Sequence, residues 1–135
     1  MKNTFKGLSA AAFLLLILFF GTWPFLNVAR SAVPRDWVMH IYVGGHLYED
    51  RLHLEQTGMS AWTGTIAVPG LFTVPVRNVS LTKTGISFDI EADEGEGPFH
   101  VKYVGTFYPG TETFSGFATL TDKNTLLGGF VGQRN

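Results

Sequence analysis

A chain of 135 residues is short enough that one folded domain is the first expectation. It contains no cysteine, which excludes a disulfide framework, a thiolate metal site, a lipid-bearing cysteine and covalent haem attachment. Net charge is −1, and with Lys2 and Lys6 set aside the part from Arg30 onward holds 8 basic and 11 acidic residues, so no basic stretch is present to neutralise phosphates and nucleic acid is not an expected partner.

The first predicted element is a membrane helix. No residue from Gly7 to Ala29 is charged, and Ala10 to Phe20 is almost purely apolar. At ~1.5 Å per residue, a helix from Leu8 to Ala29 is roughly 33 Å long, enough to cross a bilayer core. A cleaved secretory signal is the competing reading, because Lys2 and Lys6 precede an apolar run of suitable length. The residues that follow, Gly21-Thr22-Trp23-Pro24-Phe25-Leu26-Asn27-Val28-Ala29, are mostly too bulky for a signal peptidase, so retention is the expectation. Lys2, Lys6 and the α-amino group outweigh Arg30 and Arg35 once Asp36 is counted. The balance predicts a single-pass protein of the inner membrane with a cytoplasmic N-terminus and an exported domain. Leu16 and Phe20 are candidates for packing against neighbouring helices, with Trp23 at the outer interface. The segment holds no ionisable side chain to ligate a haem or relay protons. The expected organisation is an anchor over 1–29, a connector over 30–35 and a β domain over 36–135.

Within that domain, turn signals recur at Gly44-Gly45, Thr57-Gly58, Pro69-Gly70, Thr84-Gly85, Gly95-Glu96-Gly97, Pro109-Gly110 and Asp122-Lys123-Asn124. They divide the remainder into eight runs of strand length and leave no room for a second helix. Several runs alternate with period two. Leu52 and Leu54 oppose Arg51, His53 and Glu55; Ile86, Phe88 and Ile90 oppose Ser87, Asp89 and Glu91; Phe99, Val101, Tyr103 and Phe107 oppose His100, Lys102 and Thr106. The predicted fold is all-β, an eight-stranded antiparallel meander closed into a barrel that leaves no free edge, with a Greek-key sandwich as the alternative.

The rhythm of Trp37, Leu52-His53-Leu54-Glu55-Gln56-Thr57-Gly58, Trp62-Thr63-Gly64-Thr65, Ile86-Ser87-Phe88, Tyr103-Val104-Gly105-Thr106-Phe107 and Phe114-Ser115-Gly116 resembles lipocalin-like (calycin) barrels over about a hundred residues. The resemblance implies that the Trp of the first strand is crossed by a basic side chain from the end of the barrel, and Trp37 and Arg134 stand at those places. The Gly-x-Trp motif is missing at Trp37, no Tyr follows Thr121-Asp122, and no C-terminal helix is expected. The resemblance therefore carries a fold and no ligand.

No residue set points to chemistry. His53 and His100 fall on outward parity among charged neighbours, and only His40 and His46 could meet across a hairpin, so no metal ligand set is assigned. The acidic run Asp89, Glu91, Asp93, Glu94 and Glu96 lacks the glycine and the twelfth-position acid of a calcium loop and reads as a solvated hairpin. Asn78-Val79-Ser80 is a glycosylation sequon that a chain of this length contains by chance. Gly128-Gly129 opens no helix to cradle a phosphate, and no nucleophile–base pair is visible, so neither an enzyme nor a cofactor protein is expected.

The function expected is that of a non-catalytic accessory subunit. Its helix would pack beside integral membrane proteins of a larger complex in the bilayer, with photosynthetic and respiratory assemblies as hosts by analogy. Phe72, Phe88, Phe99, Phe107, Phe114 and Phe130 would fill the barrel, leaving its outside for partners. The alternative is a periplasmic or membrane-tethered lipocalin-like protein that encloses an apolar small ligand.

Overall fold

The computed structural model describes residues 34–135; the segment expected to be an anchor, with Leu16, Phe20 and Trp23, lies outside the described residues. Alternating apolar and polar side chains build nine strands. They are β1 (Arg35–Val43), β2 (His46–Gln56), β3 (Trp62–Val68), β4 (Phe72–Pro75), β5 (Arg77–Leu81), β6 (Gly85–Asp93), β7 (Pro98–Phe107), β8 (Phe114–Leu120) and β9 (Thr125–Arg134). In β6 the alternation is complete: Ile86, Phe88, Ile90 and Ala92 are buried while the residues between them are not.

All nine strands belong to one antiparallel sheet in the order β4-β3-β2-β1-β9-β8-β7-β6-β5. The two ends of the domain pair, with Trp37 opposite Arg134 and Ile41 opposite Phe130. Every other neighbouring pair is a hairpin of consecutive strands, so the sheet is a meander rolled into a nearly closed barrel. A sandwich of two facing sheets is thereby excluded.

The strand count corrects the expected eight. The run between Pro69-Gly70 and Thr84-Gly85 is not one strand: β4 pairs with β3, the chain bends at Val76 without reversing, and β5 pairs with β6. The corner needs no glycine. Pro75 brings no N–H to continue a ladder, Asn78 takes a left-handed conformation (φ 51°), and the Val76 N–H donates to the Gly64 carbonyl at 3.0 Å. No hydrogen-bonded ladder joins β4 to β6 or β5 to β3, and this is the seam of the barrel.

One half of the interior is filled by rings. Phe88 stacks on Tyr103 with centroids 4.6 Å apart, and Phe114 meets Trp37, Phe107 and Phe130 edge-on at 6.0, 5.4 and 5.8 Å. Phe114 fits because Gly105 and Gly132 bring no side chain to the space that it occupies. Of the six phenylalanines expected inside, Phe88, Phe114 and Phe130 are fully buried, whereas Phe72, Phe99 and Phe107 are only partly covered.

Candidate functional site

The barrel has two unlike ends. At the end carrying the β2–β3, β5–β6 and β7–β8 connections, the Trp37 indole N–H donates to the Glu112 carbonyl at 3.1 Å. The Arg134 guanidinium lies 5.1 Å from the Trp37 ring centre and 3.3 Å from the Glu112 carboxylate. Register explains the cation–π contact, because the two residues are paired across β1 and β9. Arg35 stands over the Trp62 ring, also at 5.1 Å, although the two are not register partners. This end is shut by side chains.

The opposite end carries the Gly44-Gly45 turn, Pro69–Leu71, Glu94–Gly97 and Thr121–Asn124, and here the interior is open. A cavity of 230 Å³ begins beneath these turns. Val43, Leu71, Glu94 and Leu127 surround its mouth, Phe72 and Phe99 form an edge-on aromatic pair (6.3 Å) on one wall, and Ile41, Ile90 and Val101 continue it inward. Tyr48, Tyr103 and Asp50 supply the polar atoms of the lining apart from Glu94 and the backbone.

Asp50 is the exceptional residue. It is 2% exposed, it is the one charged residue buried among the described residues, and its Oδ1 has no hydrogen-bond partner. Burial pushes its carboxyl up from 3.8 to about 6, and its charge adds to the burial that raises the Tyr103 hydroxyl. Nothing in the sequence analysis singled out Asp50, although the signal was present: with Leu52 and Leu54 inward, period two puts Asp50 inward too.

A second feature lies on the outer wall. Tyr42 (β1), Leu47 (β2), Val104 (β7), Phe117 (β8) and Val131 (β9) are exposed, and the register groups them: Tyr42 faces Leu47, Val104 faces Phe117, and Phe117 faces Gly129. Together with His40, Thr106, Ser115 and Thr119 they line a shallow groove whose floor includes Gly116 and Gly129. A side chain on Gly116 would strike the Val104 carbonyl, so glycine there lets β7 and β8 approach closely. Leu47 is 66% and Phe117 61% exposed, and no Asp, Glu, Lys or Arg lines the groove.

His40, His53 and His100 are surface groups with carboxylate partners. His53 Nδ1 is 2.6 Å from Asp36 and its Nε2 is 3.1 Å from Glu55; His100 Nδ1 is 3.0 Å from Asp122 and its Nε2 is 3.4 Å from Glu91. These hydrogen bonds raise both imidazoles above their ordinary value, and the His100 contact lowers Asp122. His40 and His46 are not brought together, since His40 faces Glu49 and His46 faces Val43. Among the described residues, no group of three or more His, Asp or Glu side chains is arranged to hold a metal. The acidic hairpin closes on itself, with Asp93 accepting from the Gly95 and Gly97 N–H groups at 2.8 and 3.2 Å. Asn78 donates to Asp89 at 2.9 Å.

No family model matches this chain, and neither a curated protein nor a solved structure does.

Proposed function

We propose that the chain is a non-catalytic accessory subunit of a larger membrane protein complex, held in the bilayer by its N-terminal segment and docked on its partner through the outer face of β1, β2, β7, β8 and β9. The observation that carries the proposal is the uncharged groove around Tyr42, Leu47, Val104, Phe117 and Val131. Contiguous apolar surface with no charge at its centre is the composition of an interface core. The occupant suited to it is an apolar ridge on the extramembrane part of an integral membrane protein, which the glycine floor admits close to the sheet. The apolar stretch from Gly7 to Ala29, which carries no charge, supports the second half of the proposal, with Leu16 and Phe20 against a neighbouring helix.

The test is purification of the native chain in mild detergent with identification of what co-migrates, repeated for Phe117→Glu and for Leu16→Ala/Phe20→Ala. The native chain is expected in stoichiometric company with larger membrane proteins. Phe117→Glu should lose that company while its far-ultraviolet circular dichroism stays native, and the helix variant should loosen it. A native chain that runs alone, or a Phe117→Glu chain that keeps its partners, overturns the docking.

A second reading is favoured by the cavity: a membrane-tethered, lipocalin-like barrel that binds a small ligand. At 230 Å³ the cavity lies below the ~300–1,000 Å³ usual for ligand pockets. That keeps this reading second unless the ligand is small.

A further inference from the structure

We propose that the cavity is a binding site for a small organic cation, an amine with a compact apolar body whose ammonium group pairs with Asp50. The proposal is independent of the docking groove, which lies on the other side of the barrel wall.

Three observations carry it. The cavity is roomy enough for about eight water-sized groups at ~30 Å³ each, the size of a short alkyl or single-ring aromatic amine. Its lining is charged in one sense only: Asp50 in the interior and Glu94 at the mouth are carboxylates, and no Lys, Arg or His lines it. An anionic ligand such as a fatty acid would meet two like charges and no counter-ion, whereas a cation finds one at each depth. Finally, Asp50 Oδ1 is buried without a donor, a defect that interior carboxylates do not usually carry. An ammonium group supplies the missing hydrogen bond and the missing charge at once. Tyr48, Phe72, Phe99 and Tyr103 add ring surface of the kind that cations favour, as in the aromatic cages that hold alkylammonium groups.

The strongest alternative is that Asp50 is a buried acid kept neutral for packing alone. Its Oδ1 would then gain nothing from a ligand, and a neutral ligand of the same shape would bind as well as a cation. The experiment separates these. The full-length chain in detergent at about pH 7.5 is titrated by isothermal calorimetry with phenethylamine, with the isosteric alcohol 2-phenylethanol and with phenylacetate; the series is repeated with hexylamine, hexanol and hexanoate. Amines are expected to bind at least tenfold more tightly than the matched alcohol, with no measurable binding of the carboxylates. Asp50→Asn preserves side-chain size while removing the charge, and it should abolish the amine preference. Phe117→Glu, on the outer groove, should leave amine binding unchanged. If no amine binds, if alcohol and amine bind equally, or if Asp50→Asn keeps the preference, the site is not a cation site. None of these results depends on whether the chain co-purifies with a larger complex.

Discussion

Asp50 is a single residue on which stability and function pull in opposite directions. Its carboxyl titrates near 6 in the barrel and near 3.8 in an unfolded chain, so between those values the folded state binds the proton more tightly. The neutral form costs nothing extra below the unfolded value. As pH rises through about 6 the barrel must bury a charge, and Asp50's contribution to stability is lost. Tyr48 on its own strand, Tyr103 on β7 and Glu94 after β6 are the titratable groups that share the cavity, while the β1, β3 and β9 residues in its lining are apolar. Asp50→Asn should therefore be more stable than the native chain at about pH 8, by on the order of 2 kcal/mol. The gain falls short of the full charge penalty because the amide too lacks partners. The difference should shrink toward zero at about pH 4. Thermal melts of both chains across this range check it; parallel stability curves would show that the Asp50 carboxyl titrates alike in the folded and unfolded chains, so that burial does not raise it.

At the scale of strands, β7, β8 and β9 pack closely around one ring. Phe114 on β8 points at Gly132 on β9, with which it is paired, and approaches the Cβ position of Gly105 on β7 to 3.2 Å. A methyl at Gly132 would overlap the Phe114 ring, which cannot swing aside because Trp37, Phe107 and Phe130 box it in. Gly132→Ala should lose ~1–3 kcal/mol in urea denaturation. Gly129→Ala, whose methyl would meet nothing nearer than 3.7 Å, should change stability by less than ~1 kcal/mol. Strand existence was legible because Leu52/Leu54 and Ile86/Phe88/Ile90 alternate so cleanly, and turn signals announced every hairpin, with glycine in all but the β8–β9 turn, where Asn124 takes the left-handed conformation. The β4–β5 corner was not legible. It is made by Pro75, Val76 and a left-handed Asn78, and a corner between strands that never pair needs no hairpin turn. The outer groove was hidden for a related reason: Tyr42, Leu47, Val104, Phe117 and Val131 come from five strands and form one surface only through the register. Asp50 was legible by parity alone, yet its missing partner depends on what lines the cavity, and that depends on how the barrel closes.

For the whole barrel, closure is unequal around its circumference. β1 and β9 are each paired on both sides, and so are β2, β3, β6, β7 and β8, whereas β4 has only β3 and β5 has only β6. The β4 ladder is four residues long, and the β5–β6 ladder loses its register between Arg77 and Ser80. Across the seam lie the Val76–Gly64 hydrogen bond, the contact of Phe72 with Phe99 and the aliphatic packing of Val74, Val76, Val79 and Leu81, and no ladder adds to them. Local opening should begin there. Amide hydrogen exchange is expected to run at least about tenfold faster in β4 and β5 than at the β1–β9 junction, where Trp37 is paired with Arg134. Uniform protection around the circumference would mean that the seam is sealed as tightly as the ladders. Phe72 belongs both to the seam and to the cavity wall, so an occupant of the cavity would bridge β4 to β6 and β7 by contact. Saturating amine should therefore slow exchange in β4 and β5 more than elsewhere. A ligand that slowed exchange evenly would be acting on global stability by mass action and not on the seam.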